Sequence, residues 1–584
     1  MTRWGRALWL GLVCVSLAAC SLSPAAIDRP YLLESILGDP STFNYYLSND
    51  NTTRVVLGPT LSGLTRLNSD TLEWEPELAE SWEVFDDGLR LVFTLRPDLK
   101  WSDGEPLTVE DVRFTFEDVI FNDAIETSSR SVMEIGEARI LPQLSVVGDR
   151  QLEFQLPEPF APFLQVVGTP ILPKHVFARG IEQTDSDGYP LFLKQWGLDT
   201  PVRHLVSSGP YVLSSYVPGQ RVEYRPNPHY YRSGDNGETL PKTQRFIRQF
   251  VASQDNQLLQ FRSGSLDIYT LRGSDFQLLK REEDSGQFTI YDLGPTLNNS
   301  FFCFNQSTGL DSDRNPLVAP VKSRWFRDVN FRQAVSFAVN RQRLINTVLR
   351  GLGEPQISPI SPANPFHLSA ENGRLPLYPY DPERAKQLLL DSGYTYNSRG
   401  RLLDADGNEV RFTLNTNVGN TAREAMAASI DADLNRIGIT VDVSLIDFGI
   451  LDQKLTTTFD WEAVMLSLGG GGTEPNSGAN VWRSTGNLHL WNPTGRNGQA
   501  LEGREVTDWE RELDAIFSQG TKELEFDRRK ELYDRFQIIV QEQLPLIGTV
   551  NPLSLVAVRD RVLGADPRPI LGELWNLEEL QVIP

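Results

Sequence analysis

Two hydrophobic periods alternate along this chain, and neither runs long enough to give an all-helical or an all-strand protein. Leu91, Phe93 and Leu95 alternate with Val92 and Thr94, and Asp86-Asp87-Gly88 separates them from Trp82 to Phe85, which predicts a β-hairpin. Thr108 and Asp111 mark the start of a helix that places Val109, Val112, Phe116 and Val119 on one face. Asp381-Pro382 supplies an N-cap and an N1 proline for a helix that carries Ala385, Leu388 and Leu389 and ends at Gly393. Thr421 and Glu424 predict a capping box for a helix with Ala427, Ile430, Leu434 and Ile437 inward. Gly438 stops that helix, and Val441, Val443 and Leu445 continue as a strand. Asp328 is expected to cap one helix through Phe331, Ala334, Val335, Ala338, Ile345 and Val348, ending near Gly351. An early strand is expected from Tyr31 to Leu37. Hairpins beside helix-to-strand connections predict an α/β protein with mixed α+β sheets. At 584 residues, two or three lobes are expected rather than one core.

The first residues have a different character. Arg3 and Arg6 precede an apolar run from Ala7 to Val15, followed by Leu17-Ala18-Ala19-Cys20. This is the pattern of an export signal, expected over residues 1–19, and the apolar run is too short for a permanent span. The last four residues resemble the bacterial lipobox, in which the cysteine becomes the first mature residue and carries the lipid. Cys20 is the expected lipidation site, residues 20–29 its tether, and the location extracytoplasmic, in the periplasm or at the cell surface, attached to a membrane. With Cys14 in the leader and Cys20 acylated, Cys303 has no disulfide partner within the chain.

The formal charge of -22 repels phosphate backbones, so nucleic acid is not an expected partner. No nucleophile elbow, phosphate loop, His-Glu-x-x-His or Cys-x-x-Cys occurs, and the five histidines lack ligand spacing, so no catalytic residue, metal or cofactor is expected. Asp404-Ala405-Asp406-Gly407-Asn408 has an early glycine and no glutamate at the twelfth position, which makes it a hairpin turn rather than a calcium loop.

A continuous stretch carries more. Pro76-Glu77-Leu78-Ala79-Glu80-Ser81-Trp82, Asp87-Gly88, Phe93-Thr94-Leu95-Arg96 and Lys100-Trp101-Ser102-Asp103-Gly104-Glu105-Pro106-Leu107-Thr108 resemble the signature of the family 5 extracellular solute-binding proteins, the peptide- and nickel-binding components of ABC importers. Ser208-Gly209-Pro210-Tyr211, Phe261 to Ile268, Phe301 to Asn305, Arg332-Gln333-Ala334, Ala338 to Arg341 and Tyr380 to Lys386 follow in that family's order. The resemblance implies a periplasmic-binding-protein-like cleft between two lobes, with an extra inserted domain. It divides the chain into lobe I (30–72, 205–296 and 535–584), an inserted lobe II (73–204) and a lobe III (297–534). It further implies a monomer that captures a small solute, peptide before sugar or metal chelate, and docks on ABC permease subunits. A secreted hydrolase of peptides or glycans and a solute receptor without transport are the alternatives.

In peptide-binding relatives the stretch ending in Glu474-Pro475 carries an aspartate for the ligand's α-ammonium. Here the position falls near Gly471, within Gly469-Gly470-Gly471-Gly472, and Glu462 or Glu474 would have to replace it. Glycines let backbone approach a ligand closely. Aromatic side chains supply apolar contact with a polar handle. The ligand-binding residues expected from these considerations are Tyr45, Tyr46, Gly470, Gly471, Gly472, Trp482, Arg483 and Trp491.

Overall fold

The computed structural model describes residues 29–583 apart from 49, 126, 137, 235, 470, 471 and 496–499. The leader, Cys20 and Gly470–Gly471 therefore lie outside the described residues.

Four sheets organise the molecule. Strand Leu32–Leu37 pairs in parallel with Phe246–Val251, which continues antiparallel into Arg221–Pro226 and Tyr211–Val217. A second sheet has Val550–Arg559 between Ile268–Leu271 and Phe288–Pro295. An antiparallel sheet joins Ala79–Phe85, Arg90–Leu95, Gln151–Gln155 and Gln143–Val146. The fourth orders Thr440–Ile446, Arg411–Asn417, Ala463–Leu468, Asn299–Phe304 and Ile547–Gly548.

The fourth sheet is the centre of one unit. Because side chains alternate across a strand, Phe302 and Phe304 face one layer with Phe326, Phe331 and Phe412, whereas Phe301 and Cys303 face another with Trp461, Trp482 and Trp491. A separate buried cluster runs from Leu32 through Phe93, Trp101 and Phe154 to Leu580, so the first and third sheets share a core. The chain enters the fourth sheet after Pro295 and leaves it at Thr549, two backbone connections in all. Helix Phe526–Gln543 runs unbroken through 534, and the strand that follows it pairs with Asn299–Phe304.

Most local expectations correspond to elements. Strands Ala79–Phe85 and Arg90–Leu95 form the hairpin, and Thr108 and Asp111 form a reciprocal capping box. Two details differ. The N-cap before Thr421 is Asn420, whose side chain reaches the Arg423 amide, while Glu424 accepts from Gly419. The helix capped by Asp328 stops at Ala338, and Asn340 caps a second one, Arg341–Thr347, because its side chain competes for the backbone. Asp404 organises the expected hairpin turn, accepting from the amides of Asp406 and Asn408; the flanks pair antiparallel across it at Leu403 and Glu409, and the Val410 amide donates to the Leu402 carbonyl (2.9 Å).

Candidate functional site: the interlobe cleft

The two connections are held like a hinge. Thr296 donates its hydroxyl to Asn551 Oδ1 (2.7 Å), and Asn551 Nδ2 returns a bond to the Thr296 carbonyl (2.8 Å). Beside it, the Thr549 amide and hydroxyl both donate to the Ser300 carbonyl. The unit has only two backbone connections, side by side, and Gly353–Pro355 pairs with Val550–Pro552 next to them, so its ties concentrate at one edge, which is the geometry of hinge closure.

Opposite the hinge the units touch. The Ala161 amide donates to the Thr521 carbonyl (2.7 Å), and Lys522 pairs with Glu158 at 2.8 Å. A Cβ on Gly88 would come within 2.6 Å of Leu524 Cδ1. Nearer the cleft, a Cβ on Gly472 would lie 3.5 Å from Gln165 Nε2. The Gln165 side-chain oxygen, Oε1, is buried without a hydrogen-bond partner.

On the third-lobe side, Gly472 has φ +83°, a left-handed conformation that glycine adopts without strain. Asn364 Nδ2 donates to the carbonyls of Gly472 (3.0 Å) and Thr473 (3.2 Å), so one amide pins the end of the glycine stretch. Glu474 is paired with Arg529, whose guanidinium lies 5.1 Å from the Phe366 ring centre. Glu462 is likewise committed, one oxygen to Lys322 (2.5 Å) and the other to the Thr413 amide (2.8 Å). Both carboxylates named as stand-ins for the absent aspartate therefore already have cations or donors of their own.

On the facing side, Gln165 belongs to a tightly seated segment. A Cβ on Gly63 would lie 2.2 Å from the Gly168 carbonyl oxygen, so these backbones approach more closely than side chains permit. Thr65 Oγ1 donates to the Leu164 carbonyl (2.6 Å). Tyr46 is buried with its hydroxyl donating to the Pro170 carbonyl (2.5 Å) and 3.1 Å from Thr169 Oγ1. Burial pushes its phenol far above the ordinary range, with the Thr169 contact opposing it only in part. Tyr45 packs edge-on against Tyr46 and is half-buried.

The remaining expected site residues sit deeper in the unit built on the fourth sheet. Trp482, with Ser300, Gln356 and Ser358, lines a small recess at the hinge end of the fourth sheet and packs edge-on to Phe536 at 4.9 Å. Arg483 is half-buried, with Nε buried and unpartnered. Trp491 is closed off from solvent, and its indole N–H donates to Glu510 (3.0 Å). Glu510 also accepts from Asn492 Nδ2 (3.1 Å) and from the Thr507 amide and hydroxyl (2.7 Å each), and lies 2.9 Å from His489 Nε2. Burial would raise its carboxyl, but the bond and charge of His489 and the Thr507 donors outweigh it and bring the pKa down to about 2. The structure thus brings Tyr46 and Gly472 to the 163–170 segment from two sides, with Tyr45 packed against Tyr46, and keeps Trp482 and Trp491 in the core on the Phe301 face of the fourth sheet. Gln165, Asn364 and Arg529 were not singled out from sequence; each is one polar residue in an unremarkable local pattern, with a partner far along the chain.

Residues 73–489 match the family model described as bacterial extracellular solute-binding proteins, family 5, middle region. The chain belongs to that family. Curated family 5 relatives include a probable ABC transporter-binding protein of Deinococcus radiodurans, 28% identical over 564 residues (92% of this chain, 89% of the relative). The oligopeptide-binding protein AppA of Bacillus subtilis is 24% identical over 472 residues (78% and 79%). Among solved structures, that AppA in complex with a nonapeptide has a TM-score of 0.70 at 21% identity, covering 95% of this chain and 99% of its own. The binding protein MelB of Agrobacterium fabrum in complex with stachyose has a TM-score of 0.74 at 21% identity (95% and 84%). The fold is therefore the two-lobed architecture of these binding proteins. The protein is an extracytoplasmic solute-binding component of an ABC importer. Among the described residues no helix is long and apolar enough to cross a membrane.

Proposed function

We propose that this protein is a lipid-anchored, monomeric binder that closes its third lobe, residues 297 to about 549, over a peptide-like solute and hands the closed form to ABC permease subunits. It acts by binding, without bond chemistry. The observation that carries the reading is the pairing of a two-strand hinge at Thr296 and Thr549 with an opposed contact surface at Gln165 and Gly472, because ligand held between such surfaces biases one lobe arrangement. Peptide is favoured by relatives such as AppA of Bacillus subtilis and the dipeptide-binding protein of Escherichia coli, the latter 23% identical over 572 residues. Tyr45, Tyr46 and the glycine stretch 470–472 are the proposed contacts, with Trp482, Arg483 and Trp491 shaping the third-lobe wall.

Because Glu462 and Glu474 are already paired, the proposed solute does not depend on a free α-ammonium at the glycine stretch. A thermal-shift screen of residues 21–584 against peptides, their N-acetylated forms, oligosaccharides and nickel chelates tests this. A peptide at a hundred times its Kd adds about 2.7 kcal/mol of stability. The reading requires that acetylation leave the shift in place; stabilisation by sugars or chelates alone would remove the peptide assignment. For the anchor, Cys20→Ser is expected to release the chain from the membrane fraction, and an unchanged distribution would exclude lipidation there.

A further inference from the structure

One corner of the first sheet carries positive charge on a chain whose formal charge is -22. Side chains alternate across a strand, so Arg221, Glu223 and Arg225 of Arg221–Pro226 share one face. Arg245 joins them from the neighbouring strand: Phe246 pairs with Tyr224 in that antiparallel ladder, which sets Arg245 opposite Arg225 one step further on. Like charges directly opposed destabilise a sheet. Glu223 relieves this only in part, accepting from Arg221 Nε (2.7 Å) and from Arg245 Nη2 (2.6 Å). Burial would raise its carboxyl, but the two guanidinium groups outweigh it and hold it below the ordinary range. Both of its charges are thus spent on Arg221 and Arg245, while Arg225 is exposed and has no ion pair among the described residues.

The same corner holds the beginning of the described chain. Tyr31 lies between Arg29 and Arg245, whose guanidinium carbons are 5.6 and 5.0 Å from its ring centre. Arg29 and Arg561 both pair with the buried Asp267, at 2.7 and 2.9 Å. Five arginines therefore meet two carboxylates, Glu223 and Asp267, an excess of three positive charges. Arg29, Arg225 and Arg245 sit at the amino ends of the parallel strands Leu32–Leu37 and Phe246–Val251, whose carboxyl ends point the other way. From Cys20 to Arg29 the chain advances nine residues, about 30 Å at full extension, so a lipid on Cys20 keeps this corner within reach of the bilayer surface.

We propose that this arginine corner sits on anionic phospholipid headgroups of the membrane that holds the anchor, and so orients the free protein with the carboxyl ends of its first-sheet strands turned away from the bilayer. The proposal rests on the lipid-anchor reading of Cys20. Guanidinium groups match phosphate in geometry as well as in charge. Attraction to an anionic surface acts within a Debye length, about 8 Å at physiological ionic strength, and the net charge of the whole chain opposes adsorption from solution. The corner is therefore effective only while the tether keeps its local concentration high.

The test uses the lipidated chain in vesicles of phosphatidylcholine alone or with an equal part of phosphatidylglycerol, each containing a trace of headgroup-nitroxide lipid. A fluorophore is placed on Gln244→Cys, exposed beside the corner, or on Arg528→Cys, exposed in the third lobe; native Cys303 is buried. Quenching at 244 is expected to be at least about threefold stronger in the anionic vesicles than in the neutral ones, with no such gain at 528. Arg225→Glu, at an exposed position, should keep the melting transition and bring quenching at 244 down to its value in neutral vesicles, and Arg225→Gln should lie between. Salt at about 1 M, where the Debye length is about 3 Å, should do the same to the wild type. Equal quenching at 244 in the two vesicle types, an equal gain at 528, or no effect of Arg225→Glu would overturn the proposal. Protein that floats with both vesicle types without this charge dependence leaves the anchor reading intact; protein that floats with neither removes the anchor and the proposal with it.

Discussion

Replacing Glu510 by glutamine isolates what one buried carboxylate contributes to the third lobe. Its pKa falls from an ordinary 4.5 to about 2, a difference of about 2.5 units. At about 1.36 kcal/mol per unit this corresponds to about 3 kcal/mol of stability. The sign follows from the direction. A carboxyl whose folded pKa is depressed contributes fully above pH 4.5 and loses its contribution as pH falls toward about 2. Glu510→Gln should therefore lower the stability of the third lobe by about 3 kcal/mol at neutral pH, and the gap to wild type should close on acidification. Hydrogen exchange at the amides of the helix Asp508–Lys522 in increasing urea reads this stability locally even if the lobes unfold separately. A gap that stays constant between pH 7 and pH 3, or one below about 0.5 kcal/mol at pH 7, would show that the four donors around Glu510 do not stabilise its charge.

Other consequences are simpler to test. Gly63→Ala places a methyl against the Gly168 carbonyl and should destabilise by more than about 2 kcal/mol or prevent folding, whereas Gly407→Ala, with open space around its Cβ but a left-handed φ, should have the smaller effect in the same melting assay. Lys522→Glu reverses a half-exposed pair across the lobes and should weaken solute affinity no more than about fivefold, read by titration. Cys303 is fully buried, and burial pushes its thiol far up, so it should resist alkylation in the native protein and react at once in urea.

The sequence made the elements legible where local chemistry decides them. Asp381-Pro382 and Thr108 with Asp111 are visible caps because each satisfies helix ends a few residues away. The break at Val339-Asn340 was not visible, since Phe331 to Val348 keep one apolar period across it and only Asn340 capping its own helix interrupts them. The site divides in the same way. Tyr46 and Gly472 stand out as residue types, but their common neighbour, the 163–170 segment, is reached through Pro170 and Gln165, which no period or motif connects to either. Trp491 looked like a cleft aromatic because nothing near it in the chain announces that Glu510, a helical turn beyond Thr507, takes its N–H.

The central claim is that solute closes two lobes about the Thr296 and Thr549 hinge, and a distance across the cleft tests it most directly. Spin labels on cysteines introduced at the exposed positions Arg139 and Arg528, with native Cys303 too buried to be labelled, place one probe on each side. A stabilising solute is predicted to shorten and narrow the distance distribution in residues 21–584. An unchanged distribution at a solute concentration that saturates binding would contradict the account.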